Sequence, residues 1–507
     1  MDRGNGLAQL ESGAVKVKKK TVRLLADPSR VITRFFMPGG DGRAKAIVRR
    51  VLALTDDQVR AKLREVEREF SSRHRSIRDV LAEHFRLVSG EVDSDTVSDD
   101  LRQLIGAYFT CEYSIESVAL FNPSMVMHPS QEGVEEGACR FVMSLRTCGE
   151  GHVSSISFRT GLVDSSHEVR FDPVGRYAAA ERPVADRLYR KRAFFLKLIE
   201  MGAYRPVVES ILDRLDDQFT FEALQREVSA ERRSHGYVEG LDQPLENILW
   251  LARSNYHLAF PPDSRLDERV IFPVSENESR GIEDARFVRF IYEDGQVVYY
   301  ATYTAYNGFN TLPQLIETTD FIHFKVSTLS GKCVQNKGLA LFPRKIGGWY
   351  RMLGRIDGES TFLLTSDNIH FWNEAKKIQE PVQPWEFIQV GNCGSPIETQ
   401  AGWLVLTHGV GPMRKYCVGA ILLDREDPSR VVGRLPEPLI IPDEKERDGY
   451  VPNVVYSCGG MVHRGELIIP CAVSDTSTGI VTVSVNELLS RMAEGTPFCP
   501  PASGGKR

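Results

Sequence analysis

Between Glu276 and Phe290 the chain reads Glu-Asn-Glu-Ser-Arg-Gly-Ile-Glu-Asp-Ala-Arg-Phe-Val-Arg-Phe. Two adjacent carboxylates, Glu283 and Asp284, therefore stand between two arginines, Arg280 and Arg286. Neighbouring carboxylates disfavour each other's ionisation, and guanidinium groups favour it, so such a cluster can govern where a proton sits. Acid chemistry on a polar substrate needs this density of charge at the mouth of a strand. An ion-paired surface turn would have the same spacing. The apolar Phe287, Val288, Phe290 and Ile291 follow directly, then the turn signal Glu293-Asp294-Gly295. The carboxylates thus sit on a polar loop that feeds a β-hairpin.

The elements around this loop fall into runs of different period. Residues 1–45 read as a partly ordered amino-terminal tail whose basic run, Lys16 to Lys20, is an electrostatic tether, a solvated tail or an edge strand. Residues 46–110 form a helical segment: Val59, Leu63, Val66 and Phe70 recur at helical spacing after the cap-like Thr55-Asp56-Asp57, and Ile77, Val80, Leu81, His84 and Phe85 follow. From 111 to 177 the period changes to two, with short strands around Val118–Phe121, Phe141–Arg146, Val153–Phe158 and Val169–Phe171. Residues 178–235 are helical again, with Leu188, Phe194, Phe195, Leu198 and Ile199 on one face. From 236 to 490 short aromatic-rich strands alternate with the turn signals Gly347-Gly348, Asp357-Gly358 and Gly459-Gly460, as in a β-propeller or sandwich. Residues 491–507, rich in Pro, Gly and Lys, read as a disordered tail.

The 507 residues, 42% hydrophobic and 26% charged, provide for a large core and more than one structural unit. A net charge of −5 and a pI near 6.2 argue against nucleic acid or an anionic membrane as partner. The nine cysteines include no Cys-x-x-Cys pair, no run of 18 apolar residues occurs, and the first residues lack a signal-peptide core. These features suggest a cytoplasmic enzyme. His152 and His408 lack metal-ligand spacing, and neither a Ser-His-Asp grouping nor a phosphate-cradling P-loop is present, so no metal and no cofactor are expected.

Gly281-Ile282-Glu283-Asp284-Ala285-Arg286 resembles the Gly-Ile-Glu-Asp-Pro-Arg signature of glycoside hydrolase family 130, the β-mannoside phosphorylases and β-1,2-mannosidases. Further resemblances follow in the family's order: Tyr303 to Tyr306, Ala340 to Ile346, Gly402 to Leu404 with Thr407 to Val410, Gly419 to Asp424, Gly449 to Val455, and Ser474 to Thr476. The resemblance implies a mainly β chain, a five-bladed β-propeller, here with an amino-terminal and an inserted α-helical accessory lobe. Residues 111–177 would be the first blade, 236–490 the remaining ones, and the helices of 46–110 and 178–235 would pack as one lobe. That lobe would cap the channel or mediate assembly into a homo-oligomer.

The resemblance also implies site residues and an activity. The reaction would cleave a β-mannosidic bond from the non-reducing end with inversion, Asp284 acting as acid through a sugar hydroxyl. Asn122, Arg146, Glu283, Arg286, Tyr416 and Asp475 match positions that hold the sugar. Taken singly, Asn122 reads equally as an Asx turn, Tyr416 as a core aromatic and Asp475 as a turn residue. The family's phosphorylases carry a lysine before the Gly-rich loop where this chain has Gln389, and an arginine that 313–320 lacks. Fewer cations weaken a phosphate seat. Hydrolysis by water, with Glu446 as base and Glu317 and Glu386 as other candidates, is therefore the expected reaction. Phosphorolysis to mannose 1-phosphate, with inorganic phosphate as co-substrate seated near Arg355 and His408, is the alternative; Arg351, Arg414 and Lys415 remain available to an anion. A non-catalytic carbohydrate-binding propeller is the third reading. Ala285 stands where the family has proline.

Overall fold

Side-chain alternation makes Gly281–Ile291 a strand, because Phe287 packs with Phe158, Tyr299 and Phe321 while Val288 and Phe290 pack with Tyr300, Leu341 and Trp372. Residues that bury themselves alternately on two faces favour an extended chain, the more so when they are β-branched or aromatic. The computed structural model describes residues 15–494 apart from 40, 89, 91–96, 181, 184–187, 202, 204, 236–241 and 310.

Among the described residues, five antiparallel meanders follow one another along the chain. The first holds Ala119–Met127, Cys139–Cys148, Ser154–Val163 and Val169–Phe171. The second holds Gly281–Ile291, Val297–Tyr306, Thr311–Thr318 and His323–Thr328. The third runs from Ala340–Leu341 through Tyr350–Gly354 and Thr361–Ser366 to Glu374–Gln379. The fourth holds Gln389–Asn392, Gly402–Val410, Tyr416–Leu423 and Val431–Arg434. The fifth holds Val455–Tyr456, Glu466–Val473 and Ser477–Ser484. Its outer edge is covered by Lys18–Leu24, which pairs with Ser477–Ser484. The basic run is thus largely an edge strand, not a loose tail. Lys18, Lys19 and Lys20 each reach a carboxylate, on Glu466, Asp443 with Glu446, and Glu168.

Each meander shares an apolar cluster with the next. Phe158 meets Phe287, Phe290 meets Met352, Phe342 meets Trp403, and Leu406 meets Leu467 in four such clusters. A further cluster joins the fifth meander to the first, with Ile468 and Ile480 against Leu120 and Phe141. Among the described residues, no sheet closes hydrogen bond by hydrogen bond into a ring. The first two meanders touch through one ladder contact, Gly281 beside Ser154, where Ser154 Oγ donates to the Ile282 carbonyl at 3.0 Å. Gly281 has φ 128°, and a Cβ there would stand 2.2 Å from Ser154 Oγ, so only glycine permits the approach.

The helices correct two expectations. Those at Asp41–Leu52, Asp56–Phe70, Ile77–Val88 and Asp99–Tyr108 pack around Val48, Phe85, Leu104 and Phe109. The inserted helices Lys191–Glu200, Arg205–Leu212, Phe221–His235 and Asp242–Arg253 surround Leu198, Ile211, Leu224 and Ile248 in a different cluster. The expected single lobe is therefore two apolar cores, each set of helices burying its own cluster. The inserted set also runs to Arg253, past the boundary at 235. It is tied to the second meander's end by Lys197 Nζ, which donates to the Leu329 carbonyl at 3.0 Å. At the carboxyl end, Val485–Glu494 is helical where a disordered tail was expected from 491; residues 495–507 lie outside the described residues.

Candidate active site

Two irregular strands bring the first site residues together. The ladder slips by one residue between Phe121 and Ser124, and again between Glu283 and Arg286. One extra residue in a strand reverses which face the following side chains use. Glu283 and Arg286, three positions apart, consequently line the same hollow. Asn122 and Asp284, at the two slips, have left-handed backbone with φ 48° and 57°. Asn and Asp tolerate that region better than most residues, and its cost is characteristic of places where side chains must be re-aimed. The fifth meander contributes a third such point, Asp475, with φ 49°.

The side chains meet in a hollow of about 200 Å³. Asn122 Nδ2 donates to Asp284 Oδ1 at 2.5 Å. Arg146 lies 2.9 Å from Glu283 and 3.5 Å from Asp284, and Lys337 Nζ meets the other Glu283 oxygen at 2.5 Å. Arg286 donates to the Tyr456 hydroxyl at 2.8 Å. Across the hollow, Arg355 Nη1 approaches His408 Nε2 at 3.2 Å and Gln389 Nε2 approaches it at 3.3 Å. The His408 ring stacks on Tyr416 with centroids 6.0 Å apart, and Arg414 covers the Tyr416 ring. Asn122 Oδ1 and the Nε atoms of Arg146, Arg286 and Arg355 are buried without a protein partner.

The surroundings pull the carboxyls in opposite directions. Burial pushes Asp284 up, but Arg146, Arg286, Lys337 and the Asn122 amide together hold it below the usual aspartate value. Asp475 is pushed up to about 6, chiefly by burial and then by the negative Asp284 and Glu283, against Arg146 and Arg414. His408 is driven well below its ordinary value by burial and by Arg355 and Arg286, so its ring is neutral at pH 7.

Asn122, Arg146, Glu283, Asp284, Arg286, Arg355, His408, Tyr416 and Asp475, each singled out in the sequence, all line this hollow. Glu446 does not. Its carboxylate is turned outward onto Lys19 at 2.8 Å and Arg23 at 2.7 Å, which corrects the expectation that it faces the substrate as base. Glu386 is held by Arg434 and the backbone N–H of Val382 and Gln383, and Glu317 pairs with Lys325 at 3.2 Å. Arg351 and Lys415 are not among the lining residues either. Lys337 and Tyr456 were missed. Lys337 lies in an Asn-Lys-Gly turn that reads as surface, whereas Tyr456 directly follows the Gly449 to Val455 stretch, a signal that extension by one residue would have caught. Among the described residues no group of His, Cys, Asp and Glu could hold a metal ion. None of the described helices is long and apolar enough to cross a membrane.

A mainly β chain thus gathers carboxylates, guanidinium groups and aromatic rings around one hollow, and comparison with known proteins gives the class of enzyme to which such a chain belongs. A family model described as beta-1,4-mannooligosaccharide phosphorylase matches residues 263–494. A 1,2-beta-oligomannan phosphorylase of a Thermoanaerobacter species is 35% identical over 234 residues, covering 44% of this chain and 75% of that protein. A beta-1,2-mannobiose phosphorylase of Listeria innocua serovar 6a is 29% identical over 236 residues, 45% of this chain and 64% of that protein. The chain belongs to glycoside hydrolase family 130, and it is a glycosidase or a β-mannoside phosphorylase. Among solved structures, the Listeria innocua beta-1,2-mannobiose phosphorylase in complex with beta-1,2-mannobiose covers 74% of this chain and 92% of its own, at 20% identity and TM-score 0.43.

Proposed function

We propose that the protein is a β-mannoside phosphorylase, in which inorganic phosphate attacks the anomeric carbon of a non-reducing-end mannose and releases α-mannose 1-phosphate with inversion. One observation carries the reading: the hollow is lined by five cationic side chains, Arg146, Arg286, Lys337, Arg355 and Arg414, against three carboxylates, Glu283, Asp284 and Asp475. A surplus of two positive charges suits a dianion, and buried charge-assisted hydrogen bonds are the strong kind. Arg355, His408 and Gln389 form the phosphate seat, and Asn122, Arg146, Glu283 and Asp475 hold the sugar. The relatives named above are phosphorylases of β-mannosides, and two carry β-1,2 linkages in their names. Hydrolysis, expected from the glutamine at 389, is the weaker reading: it needs a base for water, and Glu317, Glu386 and Glu446 are each engaged elsewhere.

Asp284 is the general acid of this scheme. Ionised in the free site, it takes up a proton from solvent when the co-substrate binds, because a phosphate dianion beside Arg355 adds negative charge nearby and raises the carboxyl's proton affinity; the proton on the attacking phosphate returns to solvent from the product. The proton then reaches the leaving oxygen through a sugar hydroxyl. The supporting architecture is a five-bladed propeller, since five meanders pack in sequence and the fifth returns to the first. Incubation with β-1,2-mannobiose tests the function: mannose 1-phosphate must appear only when phosphate is supplied. Free mannose formed at the same rate without phosphate would overturn it.

A further inference from the structure

The corner that presents Asp475 is fastened from outside the hollow. Ser474 and Asp475 are both left-handed, with φ 46° and 49°, a pair of conformations that persists only where neighbours fix it. Ser474 is fully buried, and its Oγ donates to the Glu446 carbonyl at 2.6 Å. The Ser474 N–H donates to the Val454 carbonyl at 2.8 Å, and its own carbonyl accepts from the Val451 N–H at 3.0 Å. Val451 and Val454 both line the hollow. Ser474 thus joins the Asp475 corner to the segment 446–454.

That segment is anchored in turn by the Glu446 side chain, which is about 7% exposed. Lys19 takes Glu446 Oε2 at 2.8 Å and Arg23 takes Oε1 at 2.7 Å, while Lys19 also reaches Asp443 at 2.8 Å. Both cations belong to the edge strand Lys18–Leu24, whose ladder with Ser477–Ser484 slips between Lys19 and Arg23. A nearly buried carboxylate stripped of both cations, with the Asp443 N–H at 3.4 Å left to it, is drawn toward water, and the segment it carries moves with it. The strand lies outside residues 263–494, the part matched by the family.

We infer that Glu446, clamped by Lys19 and Arg23, is a positioning residue that sets the Ser474–Asp475 corner against the bound sugar, which makes the amino-terminal edge strand part of the sugar-binding machinery. This rests on the reading of the hollow as a mannoside and phosphate site. The phosphate seat, on Arg355, Gln389 and His408, is carried by other segments and is reached from 446–454 indirectly, through Tyr416, whose N–H donates to the Asn453 carbonyl and whose ring stacks on His408, so the clamp should act on it far less.

The test is steady-state phosphorolysis by the full chain with β-1,2-mannobiose and phosphate varied independently. The double variant Lys19→Met, Arg23→Met is expected to raise the mannobiose KM about tenfold while the phosphate KM stays within about twofold, a displacement effect of modest size. Lys19→Arg with Arg23→Lys, which keeps both charges, should restore the wild-type KM. An unchanged mannobiose KM in the double variant, or an equal rise in both constants, overturns the inference. Should the double variant fail to fold, Ser474→Ala, which removes only the hydroxyl that reaches Glu446, must give the same split. If the wild type forms no mannose 1-phosphate, the functional reading has failed instead. Calorimetric binding of mannobiose to wild type and double variant then decides the clamp by itself, a loss of affinity supporting it and equal affinity overturning it.

Discussion

The two walls of the hollow are built in different ways. On the carboxylate wall, Asn122, Asp284 and Asp475 stand on left-handed backbone, two of them at ladder slips. On the opposite wall, Gln389 and His408 project from a regular ladder in which Gly391 faces His408, and Arg355 follows a regular strand. Aiming by backbone holds a short side chain within a narrow range but tolerates few substitutions. Aiming by a long side chain on a regular strand costs little and leaves reach. Proton transfer needs the first kind of wall, and capture of a symmetrical anion is served by the second.

Substitutions should separate the walls. The largest effect is expected from Asp284→Asn, which removes the proposed acid and should lower kcat by roughly 10²–10⁴-fold, measured with mannobiose at saturating phosphate. Next, Arg355→Met should raise the phosphate KM by roughly 10–100-fold, the range of a lost hydrogen bond to a charged group, with a far smaller change in the mannobiose KM. Equal effects on both constants would erase the distinction between the walls.

The pH dependence of stability tests the carboxylate wall alone. Asp475 has a raised folded value of about 6 against 3.8, so the folded state binds its proton more tightly, and this contribution to stability is lost as pH rises from about 4 through about 6. Asp475→Asn should therefore gain in Tm relative to wild type as pH increases over that window. Asp284 is lowered, so its contribution is present above 3.8 and lost as pH falls. In Asp284→Asn the Tm difference from wild type should consequently shrink on acidification. The smallest effect concerns ligand linkage. Phosphate at a hundred times its Kd should stabilise the wild type by about 2.7 kcal/mol, raising Tm by a few degrees, and Arg355→Met should lose most of that gain.

Much of the site could be read from residue order because short motifs carried it. Asn122, Arg146, Glu283, Asp284, Arg286, Arg355, His408, Tyr416 and Asp475 converge, although they come from all five meanders. What failed did so for a common reason. Glu446 was chosen for its position next to a motif, but an ion pair with Lys19, 427 positions away, decides where its carboxylate points, and no local pattern encodes that. The ladder slips were equally hidden, since they fall at the polar Asn122 and Asp284, where no apolar alternation runs that an extra residue would interrupt. The helical runs were visible from their period, yet whether Phe85 and Leu198 share a core depends on docking, which periodicity does not specify.

Lys18–Leu24 is made long before Ser477–Ser484, the strand with which it completes its ladder. On the ribosome the early strand must wait, its edge unpaired, until Ser477–Ser484 has emerged. A nascent chain, or one cut short before Ser477, has an unfinished fifth sheet, so the sheet that carries Asp475 is completed after the other four have been made.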